Sequence, residues 1–320
     1  MTGSHPAPTG TFAGAADAPP GAGLAVAVDH LTKRFGAVTA VDDLSFTVAP
    51  GRVTGFLGPN GAGKTTTLRI LLGLVAPTSG SAVIGGHRYQ QLPDPTRTVG
   101  ASLEATGFHS GRTARNHLRV LAAVAGLPDS RVDELLALVG LGGDATRRVG
   151  GFSLGMRQRL ALAAALLGDP SVLLFDEPAN GLDPEGIAWL RGFLRHLASQ
   201  GRTVLVSSHV LSEVEQTVDD VVIIAHGRLV RQASLADLEG GPSVVVRTPT
   251  PEPLRAALAD AGLQATPDGD GLRVADAAPA QVGALAFAAG VELHELRAAA
   301  SDLEAIFLQL TADQPQEVTR

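Results

Sequence analysis

The pattern of hydrophobic and polar positions divides most of the chain into a ribbon followed by alternating strands and helices. From Leu24 to Val48 apolar residues alternate with polar ones, which predicts a β-ribbon. Val53 to Leu57 is a short apolar strand, and a helix is predicted from Thr65 to Leu74. Three later apolar runs are predicted to be buried strands: Val172 to Phe175, Val204 to Val206 and Val221 to Ile224. This alternation predicts an α/β fold with a mostly parallel sheet covered on both faces.

The middle of the chain is predicted to be helical, as a subdomain from 88 to 167. Apolar residues recur at intervals of three and four from Ala114 to Ala125 and from Val132 to Val139, which is the helical period. Leu160 to Leu167 is almost wholly apolar and predicts a buried helix. A further amphipathic helix, Glu185 to Leu197, separates two of the predicted strands.

Gly240-Gly241-Pro242 marks a break after which a small second domain is predicted, at 243–311. Its pattern reads strand, helix, two short strands, helix and strand, which is the order of an α+β ferredoxin-like domain. A last helix is predicted from Leu303 to Leu310. Residues 1–23 and 312–320 have few large apolar groups and are predicted to be flexible tails, which leaves 24–240 as the main domain.

Composition and charge narrow the classes of function. The net charge of −7 offers no broad nucleic-acid surface, so no nucleic-acid partner is expected. With no cysteine, the chain has no disulfide and no cysteine metal site. No apolar run is long enough to span a bilayer and no secretory signal is visible, so a cytoplasmic location is expected. Several histidines, His117 among them, lack metal-ligand spacing and are expected on the surface or in loops.

A glycine-rich segment follows the Val53 to Leu57 strand and matches the phosphate-loop pattern G-x-x-x-x-G-K-[ST]. The segment reads Gly58, Pro59, Asn60, Gly61, Ala62, Gly63, Lys64, Thr65 and Thr66. Glycines let successive backbone N–H groups surround the phosphates, and the following helix points its positive end at them. Lys64 is expected to contact the β- and γ-phosphates of ATP, and Thr65 to offer its hydroxyl to Mg²⁺. The alternative is an ordinary glycine-rich turn. Against it, this chain has only two lysines among 25 basic residues, and one of them, Lys64, stands at the position that the motif requires.

Two acids end the apolar run that starts at Val172. An acid at the end of a buried strand beside a phosphate loop can hold Mg²⁺, which suits Asp176. Glu177 can then polarise the attacking water as a general base. The alternative is a strand that simply runs into an acidic turn.

Three further motifs, in this order and spacing, resemble those of ABC-type ATPases over residues 24–240. Phe152 to Leu160 resembles the signature motif, Asn180 to Pro184 the D-loop, and Ser208-His209 the switch histidine. The resemblance implies an ABC-type P-loop ATPase that pairs head to tail with a second copy of itself, so that each ATP lies between two chains. It also implies an integral-membrane permease as partner, which would hold the chain on the inner face of the membrane.

The same resemblance implies roles for single residues. The signature residues Ser153, Leu154, Gly155 and Met156 would face the ATP of the other chain. His209 would contact the γ-phosphate, Asp183 would couple the two sites, and Phe35 would stack on adenine. Each role has an ordinary alternative: Phe35 as a strand-end core residue, His209 as a loop histidine, and Ser153 as a helix N-cap, which it is expected to be in either case.

The chain departs from the usual motifs at two places, and both variants resemble those of exporter ATPases of the bacitracin and lantibiotic type. Leu154 and Met156 replace a glycine and a glutamine of the common signature. The segment that normally supplies a glutamine to Mg²⁺ offers Glu104, unless that residue is a plain surface acid. If Glu104 is a metal ligand with Thr65 and Asp176, its charge near a triphosphate must be compensated.

The resulting prediction is an ATP-binding and ATP-hydrolysing subunit that drives export of a drug, peptide antibiotic or lipid-like substrate through a separate permease. One alternative is a soluble ABC ATPase of translation or DNA repair, but those classes carry two motif sets or long coiled coils. A non-hydrolysing regulator is a third class, and it would be expected to lack Glu177 or His209.

Overall fold

A computed structural model of the chain describes residues 23–103, 107–210, 215–239, 243–269 and 271–298. These residues fall into two compact units, of which one ends at Ala233 and the other begins at Ser234. Glu104, the predicted helix from Leu303 to Leu310 and nearly all of the two predicted tails lie outside the described residues.

Strands and helices alternate along most of the first unit. The strands are β1 (Val26–Phe35), β2 (Val38–Val48), β3 (Val53–Leu57), β4 (Ser79–Ile84), β5 (Val99–Ser102), β6 (Val172–Asp176), β7 (Thr203–Ser208), β8 (Asp220–Ala225) and β9 (Arg228–Ser234). The helices are α1 (Lys64–Leu71), α2 (Pro95–Thr98), α3 (Ala114–Val124), α4 (Ser130–Leu138), α5 (Leu154–Ala165) and α6 (Pro184–Ser199).

The antiparallel sheet of this unit has the order β2-β1-β4. β1 and β2 pair antiparallel with Val26 opposite Val48, which confirms the predicted ribbon. Alternate residues of both strands, such as Val28 and Phe46, are buried in the core. The sequence pattern missed β4, because its first half, from Ser79 to Ser81, has no apolar residue.

The second sheet has the order β5-β6-β7-β3-β8-β9, and its pairs from β5 to β8 are parallel. β3 and β7 are buried along their whole length, as strands covered on both faces are. Because β7 lies between β6 and β3, the carboxyl ends of these three strands are adjacent at one edge. Ligands of open α/β sheets bind at that edge.

The prediction of a wholly helical segment from 88 to 167 is wrong at β5, which pairs in parallel with β6. Small residues allow this strand to pass close beneath α5. A Cβ atom added at Gly100 would lie 2.0 Å from the carbonyl oxygen of Ala165. A four-residue strand containing Gly and Ser has too little apolar pattern to be separated from neighbouring helices.

Helices α3, α4 and α5 pack on one another and form the helical part of this unit. His117 of α3 is buried there, with the Phe108 ring edge-on at 4.8 Å, so the expectation of a surface or loop position is wrong. Burial, with a smaller effect from the charge of Arg112, lowers the pKa of His117. No helix among the described residues is long and apolar enough to cross a bilayer.

The second unit opens with α7 (Leu235–Glu239) and then follows the predicted strand and helix order. Its further elements are β10 (Ser243–Arg247), α8 (Pro251–Asp260), β11 (Ala265–Asp268), β12 (Gly271–Ala275), α9 (Pro279–Ala288) and β13 (Glu295–Ala298). The strands pair antiparallel in the order β11-β12-β10-β13, as in a ferredoxin-like sheet. Val244, Val246, Leu254 and Leu258 belong to a core of its own.

Candidate functional site

The glycine-rich loop joins the end of β3 to the start of α1. Gly61 and Gly63 have φ angles of 82° and 104°, a region that residues with a side chain rarely adopt. Gly58 and Gly63 also lie against neighbouring backbone: an added Cβ would lie 2.4 Å from the Ile224 oxygen and 2.5 Å from the Ala40 oxygen, respectively. The loop geometry therefore depends on glycine at these positions.

Lys64, the first residue of α1, folds its side chain back onto this loop. Its Nζ donates hydrogen bonds to the carbonyl oxygens of Gly58 at 2.6 Å and Pro59 at 3.3 Å. The same atom lies 3.4 Å from Glu177 Oε1, and the side chain is only 6% exposed. The buried ammonium group therefore has several oxygen partners, as a buried charge requires.

The next residue of α1 meets the acid at the end of β6. Thr65 Oγ1 donates to Asp176 Oδ2 at 2.7 Å, and Ser207 Oγ donates to Asp176 Oδ1. Both oxygens of the Asp176 carboxylate are thus held, one from α1 and one from β7. The hydroxyl and the carboxylate are two adjacent oxygen groups next to the glycine-rich loop that could hold a metal ion.

Glu177 follows Asp176 and has an unusual backbone conformation, with a φ angle of 49°. Its amide N–H donates to Ser207 Oγ at 2.9 Å. Its Oε2 lies 2.8 Å from His209 Nδ1, while Oε1 faces Lys64. The structure therefore joins three residues that the sequence nominated separately, Lys64, Glu177 and His209, in one contact network.

An open cleft of about 220 Å³ borders Lys64, Thr65 and Glu177 of this network. Its walls are Ala40, the loop from Asn60 to Thr66, and Glu177. Phe35 is not among these lining residues. It lies at the end of β1, half exposed, with Lys33 Nζ 4.7 Å from its ring centroid.

The signature segment begins α5. Ser153 is the N-cap, and its hydroxyl accepts from the Met156 N–H at 3.2 Å, as expected. The side chain of Leu154 is 46% exposed and packs over Gly181, where an added Cβ would lie 2.0 Å from Leu154 Cδ2. An added Cβ at Gly155 would lie 3.4 Å from Leu182 Cδ2. The signature and D-loop segments of one chain are therefore in contact.

Asp183 of the D-loop segment is the N-cap of α6. Its Oδ1 accepts from the Gly186 N–H at 2.8 Å, and Pro184 occupies the first helical turn. The residue therefore has a structural function in addition to any coupling role.

Ser207 is the residue of this network that the sequence did not nominate. The predicted strand Val204 to Val206 stopped one residue before it, and a serine carries no motif information of its own. Its importance follows from strand order, because β6 and β7 are neighbours and Asp176 pairs with Ser207.

The fold and the cleft define a P-loop nucleoside triphosphatase: a central strand (β3), a glycine-rich loop, a helix and an acid at the end of β6, the second strand along the sheet from β3. Residues 41–180 match the profile of the ABC transporter family. Residues 242–304 match a profile described as a domain of unknown function, DUF8746.

Similar proteins carry ABC transporter descriptions. The bacitracin transport ATP-binding protein BcrA of Bacillus licheniformis is 46% identical over 205 residues, 63% of this chain and 67% of that protein. The uncharacterized ABC transporter ATP-binding protein YhcH of Bacillus subtilis (strain 168) is 35% identical over 294 residues, 90% of this chain and 96% of that protein. A solved ATP binding subunit of an ABC transporter superposes with a TM-score of 0.60 at 29% identity, covering 67% of this chain and 91% of that one.

The chain therefore belongs to the family of ABC transporter ATP-binding proteins. It binds and hydrolyses ATP as a subunit of a membrane transporter, and it works with a membrane permease. The predicted family, fold class and ATPase activity are confirmed, and the transporter function is favoured over the soluble, non-transport alternative.

Proposed function

We propose that this subunit powers the export of a drug, peptide antibiotic or lipid-like substrate from the cytoplasmic face of the membrane. The observation that carries the ATPase part of the proposal is a cleft lined by Lys64, Thr65 and Glu177, with Asp176 hydrogen-bonded to Thr65 and His209 in contact with Glu177. The cargo class rests on the similarity to BcrA and on the Ser153 to Met156 signature form, since the cargo path belongs to the permease.

The residues of the cleft suit a triphosphate. Gly61 has a left-handed backbone with open space beside it, and backbone N–H groups of the loop and of the α1 N-terminus favour phosphate oxygens. The loop from Gly58 to Thr66 would surround the phosphates. The Lys64 ammonium would exchange its carbonyl and Glu177 partners for β- and γ-phosphate oxygens.

The donor set next to the loop suits Mg²⁺. Thr65 and Asp176 supply a hydroxyl and a carboxylate within one hydrogen bond of each other, and Mg²⁺ takes one or two carboxylates together with substrate phosphates. When bound, the ion would neutralise charge on the phosphate oxygens.

Glu177 and His209 are proposed to act on the attacking water and the γ-phosphate. Glu177 is the general base, and His209 holds its carboxylate through the 2.8 Å contact and reaches toward the γ-phosphate. Lys64 Nζ lies 3.4 Å from Glu177 Oε1, so a cation stands beside the proposed base.

A second copy of the chain is proposed to complete the site. The cleft is open to solvent, and Ser153 and Leu154 are exposed at the N-terminus of α5. In a head-to-tail pair, the hydroxyl of Ser153, the backbone of Gly155 and the positive end of α5 would face the partner's γ-phosphate. Leu154 and Met156 would flank that contact, and Asp183 would couple the two sites.

Two residues have more peripheral roles in the proposal. Phe35, half exposed at the end of β1, is proposed to stack on adenine. Glu104 is proposed as a Mg²⁺-linked residue that couples hydrolysis to the permease, and it follows β5 in the chain.

Substitution of Glu177 by Gln tests the core of the proposal. The substitution keeps the shape of the side chain and removes the base, so we expect ATP hydrolysis to fall at least about 100-fold. ATP binding should persist, and an ATP-bound dimer should accumulate on size-exclusion chromatography. The exposed Glu134 of α4 gives a matched control, since Glu134→Gln should hydrolyse ATP normally. Normal turnover by Glu177→Gln would show that the base assignment is wrong.

Transport is tested by reconstitution with the permease in vesicles. Cargo should stimulate ATP hydrolysis by the wild-type complex, and a complex without cargo stimulation would contradict the exporter proposal. Glu104→Gln belongs in the same assay, where ATP binding should be kept and cargo-stimulated turnover altered.

A further inference from the structure

Ser207 stands between the two acids that end the β6 segment. Its Oγ donates to Asp176 Oδ1 and accepts from the Glu177 N–H at 2.9 Å. The residue is fully buried, at 0% exposure. One small hydroxyl thus contacts two consecutive residues of the catalytic segment.

Strand pairing explains this position. β6 and β7 run in parallel with Asp176 opposite Ser207, at the last pair of the ladder. A buried hydroxyl must be hydrogen-bonded, and here both its donor and one of its acceptor positions are used on the neighbouring strand. A valine or alanine at position 207 would still allow the backbone of β7 to pair with β6, but it would leave the Glu177 N–H without this acceptor.

The hydrogen bond to Ser207 stabilises an uncommon backbone conformation at Glu177. A φ angle of 49° is uncommon for a residue with a side chain and persists where surrounding contacts determine it. The 2.9 Å hydrogen bond from the Glu177 N–H to Ser207 is such a contact. From this conformation the carboxylate of Glu177 reaches Lys64 on one side and His209 on the other.

The contact to Asp176 fixes its carboxylate plane. Thr65 holds Oδ2 and Ser207 holds Oδ1, so neither oxygen is free to turn away from the phosphate loop. Ser207 therefore acts on the metal-facing acid and on the base at the same time, although it does not line the cleft described above.

We propose that Ser207 is a positioning residue for ATP hydrolysis, which sets the orientation of Asp176 and the backbone conformation of Glu177. This inference rests on the roles proposed above for those two acids. A displacement of catalytic groups by about 1 Å can lower a rate about 100-fold. Loss of the hydroxyl should therefore affect turnover more than ATP binding, which depends on the phosphate loop.

Removal of the hydroxyl tests the inference. In Ser207→Ala we expect kcat for ATP hydrolysis to fall about 10- to 100-fold while KM for ATP changes less than about twofold. The Mg²⁺ concentration for half-maximal activity should rise, because Asp176 loses one of its two anchors. Ser207→Thr keeps the hydroxyl and should restore most of kcat, since a cavity of about 20 Å³ borders Ser207 and can receive a methyl group.

Thr203, on the same strand, supplies the matched control. It is fully buried, and its Oγ1 donates to the Leu24 carbonyl oxygen at 2.7 Å, far along β7 from the acids. Thr203→Val removes a comparable buried hydrogen bond and should lower the unfolding temperature without lowering kcat. Equal losses of kcat in Thr203→Val and Ser207→Ala would overturn the inference, and so would an unchanged kcat in Ser207→Ala.

Two further variants keep the result decisive. If Ser207→Ala does not fold, Ser207→Cys replaces it: a thiol is a weak donor and acceptor, so kcat should fall, and wild-type kcat would overturn the inference. Glu177→Gln is measured in parallel. Normal hydrolysis by Glu177→Gln contradicts the proposed base, whereas an inactive Glu177→Gln beside a fully active Ser207→Ala contradicts only the role of Ser207.

Discussion

At the scale of single residues, Lys64 illustrates how one buried charge is held by the loop around it. Its ammonium group is buried at 6% exposure and is surrounded by the Gly58 and Pro59 carbonyl oxygens and the Glu177 carboxylate. In the proposed function, phosphate oxygens would replace these partners. A compact point charge on a flexible stem suits this exchange, whereas the planar guanidinium group of arginine needs more room and a fixed geometry.

We therefore predict that Lys64→Arg weakens ATP binding although it keeps the charge. Loss of charge-assisted hydrogen bonds worth about 1.5–3 kcal/mol corresponds to a loss of affinity of about 10- to 100-fold. Nucleotide titration followed by fluorescence or calorimetry measures this change. The opposite exchange at an exposed position, Arg195→Lys on α6, should leave the affinity as it is. If Lys64→Arg bound ATP with wild-type affinity, the argument that the space around Lys64 is too small for arginine would be wrong.

At the scale of elements, the N-terminus of α5 and the segment before α6 restrict each other. Gly181 has a φ angle of 73° and carries the Leu154 side chain directly above it. A larger signature residue at 154 is thus accommodated by a glycine in the D-loop of the same chain. A movement of one segment is expected to move the other, which links the surface proposed to face a second copy to Asp183.

Gly181→Ala should therefore lower both stability and ATP turnover. The new Cβ would lie 2.0 Å from Leu154 Cδ2 and would also force an alanine into a left-handed conformation. We expect a loss of about 1–3 kcal/mol in the free energy of unfolding, measured by denaturant titration. The double variant Gly181→Ala with Leu154→Ala should recover part of this loss, because only the backbone strain remains.

Gly192→Ala on α6 serves as the control. No atom lies within 4 Å of an added Cβ there, so the substitution should be neutral or slightly stabilising in a helix. An additive loss in the double variant, with no recovery, would show that Leu154 and Gly181 do not constrain each other.

The elements also show how far the sequence alone leads. Lys64 and its glycines could be nominated from the sequence, because the chemistry of a phosphate loop depends on residue types at fixed spacing. Asp176 and Glu177 could be nominated for the same reason, and the structure brings them next to Thr65 and Lys64, while their roles stay predictions. β5 and Ser207 could not, because a strand with small residues lacks an apolar pattern and the role of a serine depends on which strand lies beside it.

At the scale of the whole molecule, the two units have separate cores. The apolar cluster that contains Phe56, Leu68 and Leu174 belongs to the first unit. Val246 and Leu258 belong to the cluster of the second. The second unit also matches a family profile of its own at 242–304. We propose on this basis that the two units fold independently, as domains close to the predicted ranges 24–240 and 243–311.

Val246→Asp should unfold the second unit and leave the ATPase in place. Val246 is fully buried on β10, and an unpaired carboxylate there destabilises by more than about 4 kcal/mol. Calorimetry should show the loss of one of two unfolding transitions. If the units fold independently, ATP hydrolysis by the isolated subunit should stay within about twofold of wild type. Loss of ATP hydrolysis together with the transition would contradict independent folding.

The Lys64 side chain bonds to carbonyl oxygens of its own loop, which has a practical consequence for chemical labelling of lysines. Only two side-chain amines exist in the chain, and they differ in environment: Lys33 lies over the Phe35 ring, while Lys64 is enclosed by the loop oxygens. An amine-reactive acylating reagent therefore reports on two side chains by mass spectrometry, without mutation or a fluorophore. The acylation yield at Lys64 would measure how accessible its amine is to the reagent, and the yield at Lys33 provides the internal reference within the same molecule.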